Sequence, residues 1–139
     1  MRRFSLLLLI LVLCGCGRQQ ADSINIKVRH LEHLEFSEEH TVKPGEEFYL
    51  SDTDYSARAA KVVSDFVIDT KTHKVTSRSK EWNNPAVLIK VYFKDKFLYE
   101  AWVLQKATTV HYVKKPGFYF EIKEIKFKEG GNEEGNFKK

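Results

Sequence analysis

The sequence predicts an all-β fold, a single antiparallel sandwich or open barrel of about seven or eight strands. Three observations predict it. Apolar and polar residues alternate over short runs. Turn signals built from Pro, Gly, Asn and Asp separate those runs. Aromatics reach 13% of the chain, alongside many Val and Ile, residues that suit a pleated, half-buried surface. The expected organisation is a leader over 1–15, a linker over 16–23, a β domain over 24–127 and a disordered tail over 128–139.

The elements follow in order. In INIKVRHLEHLEF (24–36), Ile24, Ile26 and Val28 share one face, and Asn25, Lys27 and Arg29 share the other. The alternation slips at His30-Leu31 and resumes at Leu34 and Phe36, which reads as a bulge. Lys43-Pro44-Gly45-Glu46 is a turn with Pro and Gly in the favoured order, and Phe48-Tyr49-Leu50 is a short strand after it. Residues 51–69, SDTDYSARAAKVVSDFVID, admit two readings. A helix capped by Asp52, Asp54 or Ser56 would bury Tyr55, Ala59, Val62, Val63 and Phe66. A strand over 58–68 would place Val62, Phe66 and Ile68 on one face, and it is the preferred reading.

Lys71-Thr72-His73-Lys74 is a hairpin turn, with Val75–Ser79 extended beyond it. Asn83-Asn84-Pro85 is a turn, because the residue before proline avoids the helical region. AVLIKVYF (86–93) puts Val87, Ile89, Val91 and Phe93 on one face. Lys94-Asp95-Lys96 turns the chain. Phe97–Gln105 returns with Leu98, Trp102 and Leu104 on one side and Phe97, Tyr99 and Val103 on the other. Val110–Val113 is a further candidate strand. In GFYFEIKEIKFK (117–128), Phe118, Phe120 and Ile122 share a face, and Ile125 and Phe127 return to it after a slip. The last residues, EGGNEEGNFKK, are Gly-rich, charged and nearly free of apolar groups, hence the expected tail.

The first residues, MRRFSLLLLILVLCGCGRQQ, carry a positive start at Arg2 and Arg3 and an apolar run over Phe4–Leu13. That is the layout of a secretory signal, too short for a membrane span of roughly 20 apolar residues. Leu13, Gly15 and Cys16 resemble the lipobox of bacterial lipoproteins. The resemblance implies that the Cys16 thiol receives a diacylglyceryl group and that the chain is cut before it. Cys14 follows the bulky Leu13 and would leave with the leader. A redox pair needs two intervening residues, and a zinc site needs more N or S ligands than this stretch offers. Two or three acyl chains make a durable tether, where one anchors only marginally. With its remaining cysteine consumed by lipid, the domain would have no disulfide and would stand on its apolar core. Gly17 after the cysteine resembles the default that permits transfer to the outer membrane in enteric lipoproteins; inner and outer membranes both stay open.

Removing residues 1–15 takes Arg2 and Arg3 and leaves 21 basic against 19 acidic residues, a net +2. Basic and acidic positions interleave without a one-sign block, so the pI near 9.0 is no nucleic-acid signature. His30, His33 and His40 tempt a metal reading. Odd strand spacing puts His30 and His33 on opposite faces, and H-E-x-x-H is absent, so they read as solvent-facing strand residues. His111 sits beside aromatics in a loop and reads as packed or exposed. Asp52-Thr53-Asp54 resembles the start of a calcium loop but lacks the Gly and Glu that complete one. No nucleophile elbow, phosphate loop or Ser or Cys with a His partner is legible. The reading is therefore no catalytic residue, no metal and no cofactor. Trp102, in mid-strand, is expected in the core, and Trp82, beside Lys80 and Glu81 at a turn, is the candidate exposed anchor.

Tyr55-Ser56-Ala57, then Asp65-Phe66-Val67-Ile68-Asp69, Ser77-Arg78-Ser79, Asn83-Asn84-Pro85-Ala86 and Trp102 resemble the extracytoplasmic β domain of ResB-type cytochrome c biogenesis proteins, over roughly residues 46–127. The resemblance implies the soluble β domain alone, re-anchored by lipid, in the assembly of c-type cytochromes. The expectation is a lipid-anchored extracytoplasmic binding or scaffold protein, not an enzyme. Its partners would be the membrane, through acyl chains on Cys16, and an envelope protein contacted by Arg78, Trp82 and Asn84. The alternative is an envelope module binding a small ligand or glycan in a groove lined by Trp82 and Tyr99.

Overall fold

The computed structural model describes residues 20–106 and 117–128. The expected leader over 1–15, Cys16, the candidate strand at 110–113, His111 and the residues beyond Lys128 lie outside the described residues. The described chain is all-β, with nine strands and no helix: β1 (Ala21–His30), β2 (His33–Val42), β3 (Glu47–Tyr49), β4 (Tyr55–Val63), β5 (Phe66–Ile68), β6 (Val75–Ser77), β7 (Ala86–Phe93), β8 (Lys96–Leu104) and β9 (Phe118–Phe127). They form antiparallel sheets in the orders β2-β1-β9 and β3-β4-β7-β8, with a separate β5-β6 hairpin. The two larger sheets share one core, and neither closes into a barrel.

That core is what the alternation calls for. Ile24, Ile26 and Val28 from β1 and Val87, Ile89 and Val91 from β7 have no exposed surface. Ala57 and Ala59 of β4, Phe48 of β3, and Phe120, Ile122 and Ile125 of β9 complete it. The slip expected in β9 is present: its register against β1 shifts between Asn25 and Ile26, skipping Lys123, so Ile122 and Ile125 both turn inward despite their odd spacing.

Two differences from the sequence reading have local causes. The slip at His30-Leu31 is a hairpin between two strands, with a register irregularity beside it between Arg29 and His30. Leu31-Glu32 form the turn, and His30 pairs with His33 across it. The Leu31 N–H donates to Gly117 O at 2.7 Å, and a Cβ on Gly117 would sit 3.3 Å from Leu31 Cβ. A close approach of this kind favours glycine. The strand expected over 58–68 begins earlier, at Tyr55, and breaks at Ser64-Asp65 into β4 and β5. Over residues 55–63 the chain pairs with β7 throughout, so the helical alternative is excluded there.

The turns carry the expected chemistry. Gly45 has φ +86°, and the Glu46 N–H donates to Lys43 O at 3.0 Å, as in a type II turn with Pro before Gly. Between β7 and β8, Lys94 and Asp95 have φ of 47° and 63°. Both central residues are left-handed, the type I′ geometry that matches strand twist and favours Asn-Gly. This turn is held to the β3–β4 loop, where the Lys94 N–H donates to Asp54 O at 3.0 Å.

Substitutions at these two turns should therefore act with opposite signs. Asp95→Gly relieves a strained φ and should raise stability by about 0.5–1 kcal/mol, while Gly45→Ala should lower it by about 1 kcal/mol. In the core, Ile89→Ala should cost about 3 kcal/mol. Urea denaturation with a common m-value measures all three.

Candidate functional site

The segments around Arg78, Trp82 and Asn84 are drawn together by one carboxylate. Where β4 ends, the chain turns at Ser64-Asp65, and only 1% of Asp65 is exposed. Arg78 donates to it twice, from Nε to Oδ2 at 3.2 Å and from Nη2 to Oδ1 at 3.3 Å, and Ser79 Oγ donates to Oδ2 at 3.0 Å. The backbone closes the same knot. Asp65 N donates to Ser77 Oγ at 2.9 Å, Arg78 N donates to Asp65 O at 2.9 Å, and Phe66 N donates to Asn84 O at 2.9 Å. Asp65 and Asn84 form an isolated parallel bridge.

Asp65 lies outside the hydrophobic core cluster. Its carboxyl lies below the usual carboxylate range, first because Arg78 hydrogen-bonds the charged form, with Ser79 adding to that and partial burial opposing it. The Arg78 side chain is itself 70% exposed, so it holds Asp65 with one side of its fork and leaves the rest to solvent.

Trp82 follows the knot and is half-buried rather than free on the surface. Its ring lies 4.4 Å from that of Phe127 and packs on the core, and its Nε1–H has no acceptor among the described residues. Trp102, expected in the core, instead lies half-buried outside the core cluster against Phe66, at a ring distance of 5.6 Å. Trp102 pairs with Leu88, whereas the β7 residues that turn inward are Val87 and Ile89. Strand parity therefore sends Trp102 to the other face.

Trp82 borders an open groove of about 850 Å³ between β4, the β5–β6 hairpin and the start of β1. Lys61, Lys74 and Lys80 line it with Thr76, Ser77 and Gln20, and no Asp or Glu does. Tyr99, expected beside Trp82, is not part of this groove. It is packed on the core, its hydroxyl is buried without a partner, and burial pushes its pKa up to about 12.

A second polar cluster was not foreseen. His30 and His40 are half-buried, not solvent-facing, and both approach Glu38: their Nε2 atoms lie 3.7 Å and 3.5 Å from its Oε1. The turn at Leu31-Glu32 causes this. It folds β2 back so that Glu38 lies beside Val28 and His40 beside Ile26, on the inward side of β1. The Ser51 N–H donates to both Glu38 oxygens, at 3.1 and 3.0 Å, and Ser51 Oγ donates at 2.8 Å. Glu38 thus clasps one sheet to the turn that follows β3 in the other. His33 is exposed.

Among the described residues no group of three or more His, Cys, Asp or Glu is placed to hold a metal ion. In the Asp52–Asp54 stretch, Thr53 Oγ1 donates to Leu50 O at 2.6 Å and Asp54 pairs with Lys94 at 3.6 Å, so it serves as a turn. Comparison with known protein families, curated proteins and solved structures finds no match for this chain.

Two measurements check these assignments. A carboxyl with a depressed folded pKa adds stability that is complete above its ordinary value, about 4, and is lost as pH falls through the lowered one. Asp65→Asn should therefore lower the melting temperature at neutral pH and flatten its decline below about pH 4. The decline that remains belongs to Glu47 and Asp69, whose carboxyls are also held low. Tyr99→Phe removes an unpartnered buried hydroxyl and should leave stability unchanged or raise it by up to about 1 kcal/mol.

Proposed function

We propose that this chain is a lipid-anchored, extracytoplasmic binding protein, tethered through Cys16, whose β domain takes a small ligand or glycan in the groove beside Trp82. The groove carries this reading. It is concave and open, bordered by one large aromatic, and lined by side chains that can hydrogen-bond or pair with a polar ligand. Such a mix of an apolar surface and a few convergent polar groups is the usual form of a small-molecule site. The tether rests on the apolar run Phe4–Leu13 followed by Leu13-Cys14-Gly15-Cys16. On this reading Arg78 and Asn84 are positioning residues, since they hold the segment that presents Trp82 and Lys80.

The second reading is a scaffold in c-type cytochrome maturation, contacting an envelope protein through Arg78, Trp82 and Asn84. What favours it is that segments of the ResB resemblance, Asp65–Asp69, Ser77–Ser79 and Asn83–Pro85, meet at Asp65 as one unit. It calls for haem-linked absorbance changes on titration, or capture of a maturation component from membranes. Absence of both rejects it.

Mass spectrometry of the N-terminal peptide should find Cys16 acylated and residues 1–15 removed. A free Cys16 thiol would reject the tether. Trp82→Ala should weaken retention on immobilised envelope glycans by tenfold or more, about 1.4 kcal/mol at least. Unaltered retention on every glycan bound by the parent chain would reject the groove as the binding site.

A further inference from the structure

We infer that the Trp82 groove is a headgroup site for an anionic phospholipid of the membrane that carries the Cys16 tether, an assignment that rests on the anchored-binding reading above. Charge is the first ground. Lys61, Lys74 and Lys80 converge on the groove without an acidic residue in its lining. None of the three is neutralised by an ion pair among the described residues, a state they share with other surface lysines; what sets them apart is that they line one concavity. Three like charges around one concavity repel one another, and a phosphate relieves that repulsion. Net charge does not explain them, since the mature chain carries only +2.

Position is the second ground. Gln20 and Ala21 are themselves part of the lining. Three residues lie between Cys16 and Gln20, so even a fully extended chain of four residue steps spans at most about 14 Å between them. Acyl chains on Cys16 would thus hold the Gln20 end of the groove within about two Debye lengths, of about 8–10 Å each, of the bilayer surface. A fourth amine sits at this end of the domain, where Lys128 Nζ approaches Gln20 Oε1 at 3.5 Å. Trp82 is the third ground. A half-buried indole packed on Phe127 at the border of the groove is suited to the boundary of the headgroup layer, where aromatic rings concentrate.

The test uses the full chain in nonionic-detergent micelles, with Trp102→Phe leaving Trp82 as the single tryptophan, excited selectively over tyrosine. Micelles doped with phosphatidylglycerol should give a saturable shift in Trp82 emission that phosphatidylcholine does not. Each of Lys61→Ala, Lys74→Ala and Lys80→Ala should weaken it about fivefold, and the three together about a hundredfold. Lys96→Ala, an exposed lysine outside the groove, should leave it unchanged. An equal response to both lipids, a triple variant that binds as the parent does, or a Lys96→Ala effect equal to that of Lys61→Ala overturns the assignment. Glycerol phosphate that saturates the signal as tightly as the lipid overturns the membrane source in favour of a soluble phosphate ligand. Acylation of Cys16, measured separately, decides the tether. An acylated chain without lipid preference loses the headgroup site alone, and an unacylated chain with that preference loses the tether alone.

Discussion

Two sheets held face to face by aliphatic side chains, with no covalent brace within the β domain, set the terms for everything else in this domain. Ile24, Ile26 and Val28 on one sheet and Val87, Ile89 and Val91 on the other are wholly removed from water, and both cysteines precede the first strand. Hydrophobic burial therefore supplies the bulk of the cohesion. A one-residue slip in any strand would turn its buried set to solvent. The register shifts in β4, β8 and β9 absorb odd residues locally and keep the inward faces aligned.

Three polar groups at the margins of this interior have partners that tie two elements together. Ser56 is buried and donates to Glu47 at 2.6 Å, and Glu47 in turn accepts from Arg58 at 2.8 Å, joining β3 to β4. Glu38 joins β2 to the turn after β3. Asp65 joins the end of β4 to the β5–β6 hairpin and to Asn84. Partnered in this way, a buried polar atom costs little, while an orphan costs its desolvation. Tyr99 is such an orphan. The candidate groove lies beside the Asp65 knot because β5 and β6 leave the main sheets there, opening a concavity that the core does not fill.

Local pattern made most of the fold legible. Alternation marked the inward residues of β1, β7 and β9, and Pro-Gly marked a turn, because strand period and turn chemistry act over a few residues. It was less reliable where two elements abut without a turn signature. Leu31-Glu32 contains neither Gly nor Pro nor Asn, so a hairpin there looked like a slip within one strand. The two tryptophans exchanged their expected environments for a related reason. Their burial depends on which strand parity meets which neighbour, and neither can be read from the flanking residues. Of the candidate site, Trp82 was legible as a large aromatic at a turn, and Arg78 and Asn84 as neighbours of it. Asp65, which gathers them, carried no local signal.

What the sequence by itself determined was the class of fold, the inward faces of its longest strands, and the chemistry of its Pro-Gly turn, since each follows from steric and hydrophobic preferences between near neighbours. Only the tertiary structure decided that Lys61, Lys74 and Lys80 share one groove with Trp82, that Glu38 stands between two histidines, and that Tyr99 packs on the core away from that groove. Those residues lie on different strands and loops. Their proximity depends on strand pairing and sheet packing, which act between distant parts of the chain and leave no periodicity along it.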